Sequence, residues 1–398
     1  MGKERLIFHV DVNNAFLSWT AVDLLKNGYK QDIRKIPSII GGDEKLRKGI
    51  VLAKSPVAKK MGVVTAETIY SARKKCRSLQ VFPPKYQLYK AQSNLLHQYL
   101  SQYTNKIERY SIDECFLDMT GTSLLYPDPI KLAYQMKKEI KKKFGFTVNI
   151  GIGNNKLCAK MASDFEKPDR VHTLFQSEIE SKLWPLPVSD LLMVGKQSAK
   201  VLKQLNIHTI GDLARADLKL LKRYFKSQGE FMRRSANGID DSEVESERGK
   251  HKCISVSRTL PYDHSDPVKL KKILFTQAEE VGRQLRKQKQ YTKTIAVTFK
   301  NSQFESYSHQ MKLYNQTNVT DEIYKTAVTL FDRAWRQDDI RNIGIRLSDL
   351  VSGKEKQISL FETEKDEKSD KIQEVLDQIK DKYGNNSIIS ASLLDKEK

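Results

Sequence analysis

Three carboxylates stand where the chain would ordinarily place apolar side chains. Asp11 lies within Leu6-Ile-Phe-His-Val-Asp-Val-Asn-Asn-Ala-Phe16, and Asp113 and Glu114 within Ser111-Ile-Asp-Glu-Cys-Phe-Leu-Asp-Met-Thr120. Both segments are β-branched and aromatic runs suited to buried strands. Burying a carboxylate costs several kcal/mol unless a cation compensates it. A divalent metal meets that need for acids on two distant strands. The alternatives are strand ends in water, or pairing with some of the 69 Lys and Arg. Two divalent ions about 3.5–4 Å apart, held by bridging carboxylates, activate an attacking hydroxyl and stabilise a leaving phosphate oxygen. Hard ions such as Mg²⁺ take oxygen ligands and keep some water. Adjacent residues of a regular strand face opposite ways, so Asp113 and Glu114 share such a site only at a bend or bulge. Lys59, Lys60 and Lys167 could cradle a triphosphate; the alternative for each is an ordinary solvent-facing lysine.

Positioning these groups takes strands, helices and more than one core. A chain of 398 residues is long enough for two to four domains. Its net charge of +20 and pI near 9.5 favour a polyanionic partner, of which nucleic acid is the usual one. No stretch approaches the roughly 18 apolar residues of a membrane span, and Met-Gly-Lys-Glu-Arg runs into a strand without a signal-peptide core. Cys76, Cys115, Cys158 and Cys253 have no metal-type spacing and read as reduced, buried thiols of a cytoplasmic protein.

Along the chain, residues 5–12 read as a strand and the stretch to about Leu25 as a helix. Residues 30–75 read as short strands and turns, 85–104 as a helix, 107–118 as strand, turn and strand, 129–144 as an amphipathic helix, and 147–151 as a strand. This β-α-β-β-α-β order predicts an antiparallel-rich α+β sheet with helices on one face. A helical segment follows over about 171–240. Within it 191–205 reads as helix, tight Gly turn, helix, and Thr209 is an N-cap; such a turn offers backbone N–H groups to phosphate. Residues 241–252 read as a linker with almost no core material. A second β-α-β-β-α-β order occupies 253–352. The polar tail beyond it carries an amphipathic stretch at 372–383 that either docks on the body or meets a partner.

Taken together, the motifs resemble those of the Y-family translesion DNA polymerases. They are strand-Asp-x-x-x-x-aromatic, Ser-Ile-Asp-Glu-Cys-Phe-Leu-Asp, Gly-Ile-Gly-x-Asn-Lys-x-x-Ala-Lys-x-Ala-Ser-Asp, Lys-Pro and Val-Ser-Arg-Thr-Leu, in order from residue 5 to about 361. The opening Asp-Val-Asn-Asn-Ala-Phe is similar to the UmuC-like branch of Gram-positive bacterial type. The resemblance implies an α+β, multidomain right-hand fold. Its parts would be a βαββαβ palm (1–28 and 79–170), small fingers (29–78), a helical helix-hairpin-helix thumb (171–240), a linker (241–252), a βαββαβ little finger (253–352) and a tail (353–398).

The resemblance also implies roles. Asp11, Asp113 and Glu114 match the catalytic, metal-binding acids, and the Val12 carbonyl matches a main-chain ligand, for two Mg²⁺ ions that Mn²⁺ can replace. Phe16 matches the steric gate that leaves no room for a ribose 2′-OH, and Lys167 a lysine on the incoming triphosphate. Lys59 stands where the family often has the Arg of Tyr-x-x-Arg, with Pro56 in place of Tyr; the charge remains but not the bidentate fork. Met193 replaces a Gly common before Val194-Gly195 in the thumb hairpin, where Val194, Gly195 and Lys196, with Arg258 beyond the linker, are the expected DNA contacts. In the tail, Gln357, Ile358, Ser359, Leu360 and Phe361 form a run similar to the peptide by which bacterial polymerases bind the sliding clamp. The expected activity is template-directed transfer of dNMP to a primer 3′-OH in damage tolerance, under an SOS response. The rivals are a non-catalytic DNA-damage adaptor and a nucleotidyl cyclase.

Overall fold

Strand β1 (Ile7–Val12) is buried along its whole length and is the middle of a five-stranded sheet. The computed structural model describes residues 5–44, 47, 49–246, 249, 251–352, 364–384 and 387–388. It divides into two units: Met1–Gly42 with Gly49–Arg248, and Asp43–Lys48 with Gly249–Lys398.

In the first unit β1 leads into α1 (Ala15–Lys26), entered through Asn14 in the left-handed conformation (φ 52°). A small three-stranded sheet follows, from β2 (Ser38–Gly41), β3 (Val51–Lys54) and β4 (Gln80–Phe82), with α2 (Pro56–Lys60) and α3 (Ile69–Lys75) between its strands. These two helices correct the expectation of strands and turns alone. Pro56 opens α2 at the first helical turn, where its missing N–H costs nothing, and Ser55 caps it by accepting from the Ala58 amide. The chain then returns through α4 (Tyr86–Leu100), β5 (Ile107–Arg109), β6 (Glu114–Asp118), α5 (Pro129–Phe144), β7 (Val148–Gly153), α6 (Lys156–Asp164) and β8 (Val171–Leu174). The sheet order is β5-β6-β1-β7-β8, antiparallel except for the last pair.

Alternation along β1 sends Phe8, Val10 and Val12 into a core with Trp19, Tyr89, Leu96 and Met136 of α1, α4 and α5. Helices were expected on one face only. The opposite face instead carries α6, whose Ala159 packs with Ile7 and Phe116. Val244 joins that cluster, and the Glu245 amide donates to Glu108 and the Leu157 amide to Asp240 (2.9 and 3.0 Å). The start of the expected linker is therefore a strap on the sheet, because one apolar residue suffices to anchor it.

The helical segment comprises α7 (Lys196–Gln204), α8 (Ile210–Arg215), α9 (Leu218–Phe225) and α10 (Ser227–Ala236). Residues 191–195 form a turn after a 3-10 turn at Val188–Asp190, not the first of two helices. Thr209 caps α8 as expected, in a reciprocal box with Asp212.

The second unit contains β9 (Cys253–His264), α11 (Pro267–Lys287), β10 (Gln290–Asn301), β11 (Ser306–Thr317), α12 (Thr320–Ala334) and β12 (Ile340–Ser352). Its antiparallel sheet, ordered β11-β10-β12-β9, is backed by both helices. Helix α13 (Glu364–Tyr383) lies along α11, where Asp377 and Asp381 pair with Arg286 and Arg283 and Lys380 pairs with Glu279. The expected clamp-binding run of Gln357, Ile358, Ser359, Leu360 and Phe361 lies outside the described residues. Cys76, Cys115 and Cys158 are buried, but Cys253 is exposed at the start of an edge strand, and none is in a disulfide. Among the described residues no helix is long and apolar enough to cross a membrane.

Candidate active site

Asp11 stands directly opposite Glu114 across the β1–β6 register. Strand β6 begins only at Glu114; Asp113 precedes it in a bend, where its carboxylate accepts from Ser111 Oγ at 2.7 Å and its carbonyl from the Val12 amide at 3.1 Å. The bend required by two adjacent acids is thus present. Asp11 and Glu114 are brought together, while Asp113 is engaged with Ser111. Among the described residues, no group of three or more His, Cys, Asp or Glu side chains gathers into a metal-type cluster.

Instead, lysines neutralise the pair. Lys160 of α6 ion-pairs with Glu114 and lies 3.7 Å from Asp11 and 3.4 Å from Asp164. Lys167 pairs with Asp11 and, at 2.7 Å, with Asp164. Asp11 and Glu114 are thus each paired with a lysine, whereas Asp113 accepts from Ser111. Glycines admit α6 this close: a Cβ on Gly151 would meet Ala159 O at 2.0 Å and Ser163 N at 2.4 Å. Burial raises the Asp11 carboxyl above its ordinary value, and Lys167 and Lys160 offset this only in part. Burial pulls both ammonium groups down, but their carboxylate partners outweigh it and hold them above the usual lysine value.

His9 and Asn13 also position the site, and nothing in their residue types announced it. Ser163 Oγ donates to Lys160 O (2.7 Å), so His9 Nδ1 donates to Ser163 Oγ (2.8 Å) and ties β1 to α6. Burial, then the Lys160 and Lys167 charges, keep that imidazole neutral well below the usual histidine range. Asn13 donates to Asn149 and accepts from Thr147 and the Asp169 amide, tying the turn after Asp11 to the loop that bears Lys167.

Phe16, half-buried at the start of α1, stacks on Tyr89 with ring centroids 4.5 Å apart and an 11° tilt. Thr20 Oγ1 donates to Phe16 O, so the Tyr89 hydroxyl donates to Thr20, fixing the ring beneath Phe16. Lys59 and Lys60 end α2 and are exposed. Lys54, just before α2, donates to Thr65 Oγ1 at 3.3 Å, and its carbonyl accepts from Asn14. Burial, then the nearby Lys59 charge, lower its ammonium below the usual lysine value, while Glu67 opposes the shift.

In the helical segment Val194 is buried, whereas Gly195 and Lys196 are exposed at the start of α7. Met193 is exposed and has φ 71°, a conformation that explains why glycine suits this position. In the second unit Arg258 sits on the helix side of the sheet, 3.3 Å from both Thr276 and Glu280. The opposite sheet face carries Ser255, Ser257, Arg346, Lys300, Ser308 and Lys312 on neighbouring strands, and there Thr294 donates to the Asp349 carboxylate at 2.6 Å.

The impB/mucB/samB family model matches residues 10–164, and the model of the family's C-terminal domain matches residues 251–360. DNA polymerase IV of Clostridium acetobutylicum is 48 % identical over 393 residues, 99 % of each chain. DNA polymerase IV 1 of Bacillus subtilis is 33 % identical over 399 residues, 100 % of this chain and 95 % of that one. Among solved structures, a Y-family DNA polymerase chimera superposes with a TM-score of 0.75 at 24 % identity, covering 87 % of this chain and 99 % of the chimera; this likeness speaks to the fold. With matched models over both halves and full-length relatives at this identity, the chain belongs to the Y-family translesion DNA polymerases.

Proposed function

We propose that the chain adds dNMP to a primer 3′-OH on a DNA template, with Asp11, Asp113 and Glu114 as the catalytic acids. The observation that carries this reading is the buried Asp11 facing the partly buried Glu114 across two strands, the two paired with Lys167 and Lys160. Dependence on a divalent metal goes with the family in general. The oxygen donors here, three carboxylates with the Val12 carbonyl, suit a hard cation, for which two Mg²⁺ ions are the reading. Bound there, the metal would supply the charge that activates the primer hydroxyl and steadies the leaving pyrophosphate.

The chain's own residues do the rest. Phe16, braced by Tyr89, occupies the space a 2′-OH would need. Lys167 and Lys59 bind the triphosphate, with Lys54 adding charge in the same corner. The 29–78 region acts as fingers over a palm of 1–28 and 79–170. The turn at Val194-Gly195-Lys196 in the thumb (171–240) and the Arg346- and Lys312-bearing sheet face of the little finger (253–352) hold the phosphate backbone, with Arg258 reaching DNA only by leaving Glu280. The run from Gln357 through Ile358, Ser359 and Leu360 to Phe361 ties the enzyme to the sliding clamp, its apolar side chains serving as anchors. The activity belongs to DNA-damage tolerance. The test is primer extension on intact and abasic templates with dNTPs. Products that grow with Mg²⁺ and vanish with EDTA are expected; no extension under any divalent metal, with primer-template still bound, would favour the non-catalytic reading.

A further inference from the structure

Lys160 is buried, at 8 % exposure, and its ammonium meets three carboxylates: Glu114 in a direct ion pair, Asp164 at 3.4 Å and Asp11 at 3.7 Å. Several features keep it there. Gly151 and Gly153 admit α6 against β7, since a Cβ on either would strike the helix backbone or the neighbouring strand. Ser163 Oγ holds the Lys160 carbonyl and is itself held by His9. Lys167 differs: its side chain is 38 % exposed, it lies in the loop after α6, and its ion pairs are with Asp11 and Asp164.

We propose that Lys160 is a fixed counter-cation that holds the Glu114 carboxylate in place beside Asp11 and sets how tightly these acids bind a divalent ion. Lys167 is the counter-cation that leaves. The physical basis is the sum of charges. Two carboxylates forced together by strand register repel one another, and a buried pair left uncompensated is strongly unfavourable. Lys160 relieves that repulsion without metal, so the acids are held in place before any ion arrives. When an ion enters, Lys167 has solvent and nucleotide phosphates to move to. Lys160, enclosed by α6 and three acids, has neither, and its charge then opposes the incoming ion. It therefore trades metal affinity for a preformed site. This rests on the metal reading of Asp11 and Glu114 given above.

The test is Mn²⁺ binding to the full chain, followed by electron paramagnetic resonance, together with thermal unfolding in EDTA and in Mg²⁺. In Lys160→Met, Mn²⁺ should bind at least about threefold more tightly than in the parent. Its melting temperature should fall in EDTA and be largely restored by Mg²⁺, whereas the parent should change little between the two. Lys160→Arg, which keeps the charge, should retain the parent's Mn²⁺ affinity to within about twofold. Unchanged or weaker Mn²⁺ binding in Lys160→Met, or the same melting loss in EDTA and Mg²⁺, would overturn the proposal. If Lys160→Met does not fold, Lys160→Gln is judged by the same criteria; failure of both to fold in Mg²⁺ makes the lysine a packing requirement and also overturns it. Asp11→Asn separates the two readings. It should abolish Mn²⁺ binding, and if it binds Mn²⁺ like the parent, the metal reading itself fails.

Discussion

Phe16 lies flat on Tyr89 and is flanked by Trp19 and Tyr86, so its ring has little freedom to yield. A smaller side chain should open the space beside it to a 2′-OH. Phe16→Val is expected to lower the dNTP-over-rNTP ratio of kcat/KM by about 10²-fold, with dNTP incorporation reduced far less. An unchanged ratio would remove Phe16 from sugar selection. At this scale the acids were legible because Asp11 and Glu114 are the wrong letters for buried strands. Lys160 was not, because a lysine in a nine-residue helix reads like any solvated lysine, and only the approach of α6 to Gly151 and Gly153 makes it a buried one. His9 and Asn13 were missed for the same reason: their hydrogen bonds span 154 and 136 residues of sequence.

Helix α6 lies so close to β7 that the backbone-to-backbone contact at Gly151 sets the position of Lys160 and Asp164. Gly151→Ala should therefore destabilise the fold by about 2–4 kcal/mol, read as a lower urea midpoint at unchanged slope. A midpoint equal to the parent's would mean that α6 is not seated on the strand. Long elements with strong periodicity, such as α5 and the 253–352 repeat of strands and helices, were readable from apolar spacing. Short ones were not. The 30–75 stretch read as strands and turns although Pro56 opens a helix after Ser55, and the turn before α7 looked helical because Leu191 and Val194 share a helical spacing. Val244 shows how a single buried side chain turns a polar linker into a strap.

Over the whole molecule, the net charge of +20 gives a general attraction to nucleic acid, and specific surfaces decide where phosphates are held. In the second unit, Arg346 and Lys312 stand on the sheet face away from the helices, whereas Arg258 is paired with Glu280 on the helix side. Replacing Arg346 and Lys312 together by Ala should reduce the slope of log K against log salt for primer-template binding by roughly 1.5, near 0.7–0.9 per lost phosphate contact. Arg258→Ala should change it less; the reverse order would put the DNA on the helix side. Charge made the partner class legible from composition, but which sheet face is bare depends on strand register. That the acids facing one another across β1 and β6 perform the chemistry is tested most directly by single-turnover dNTP incorporation by Glu114→Gln on pre-bound primer-template in Mg²⁺. Primer-template affinity should stay within about threefold of the parent's while incorporation slows by about 10³-fold or more; incorporation at a rate close to the parent's would contradict that role.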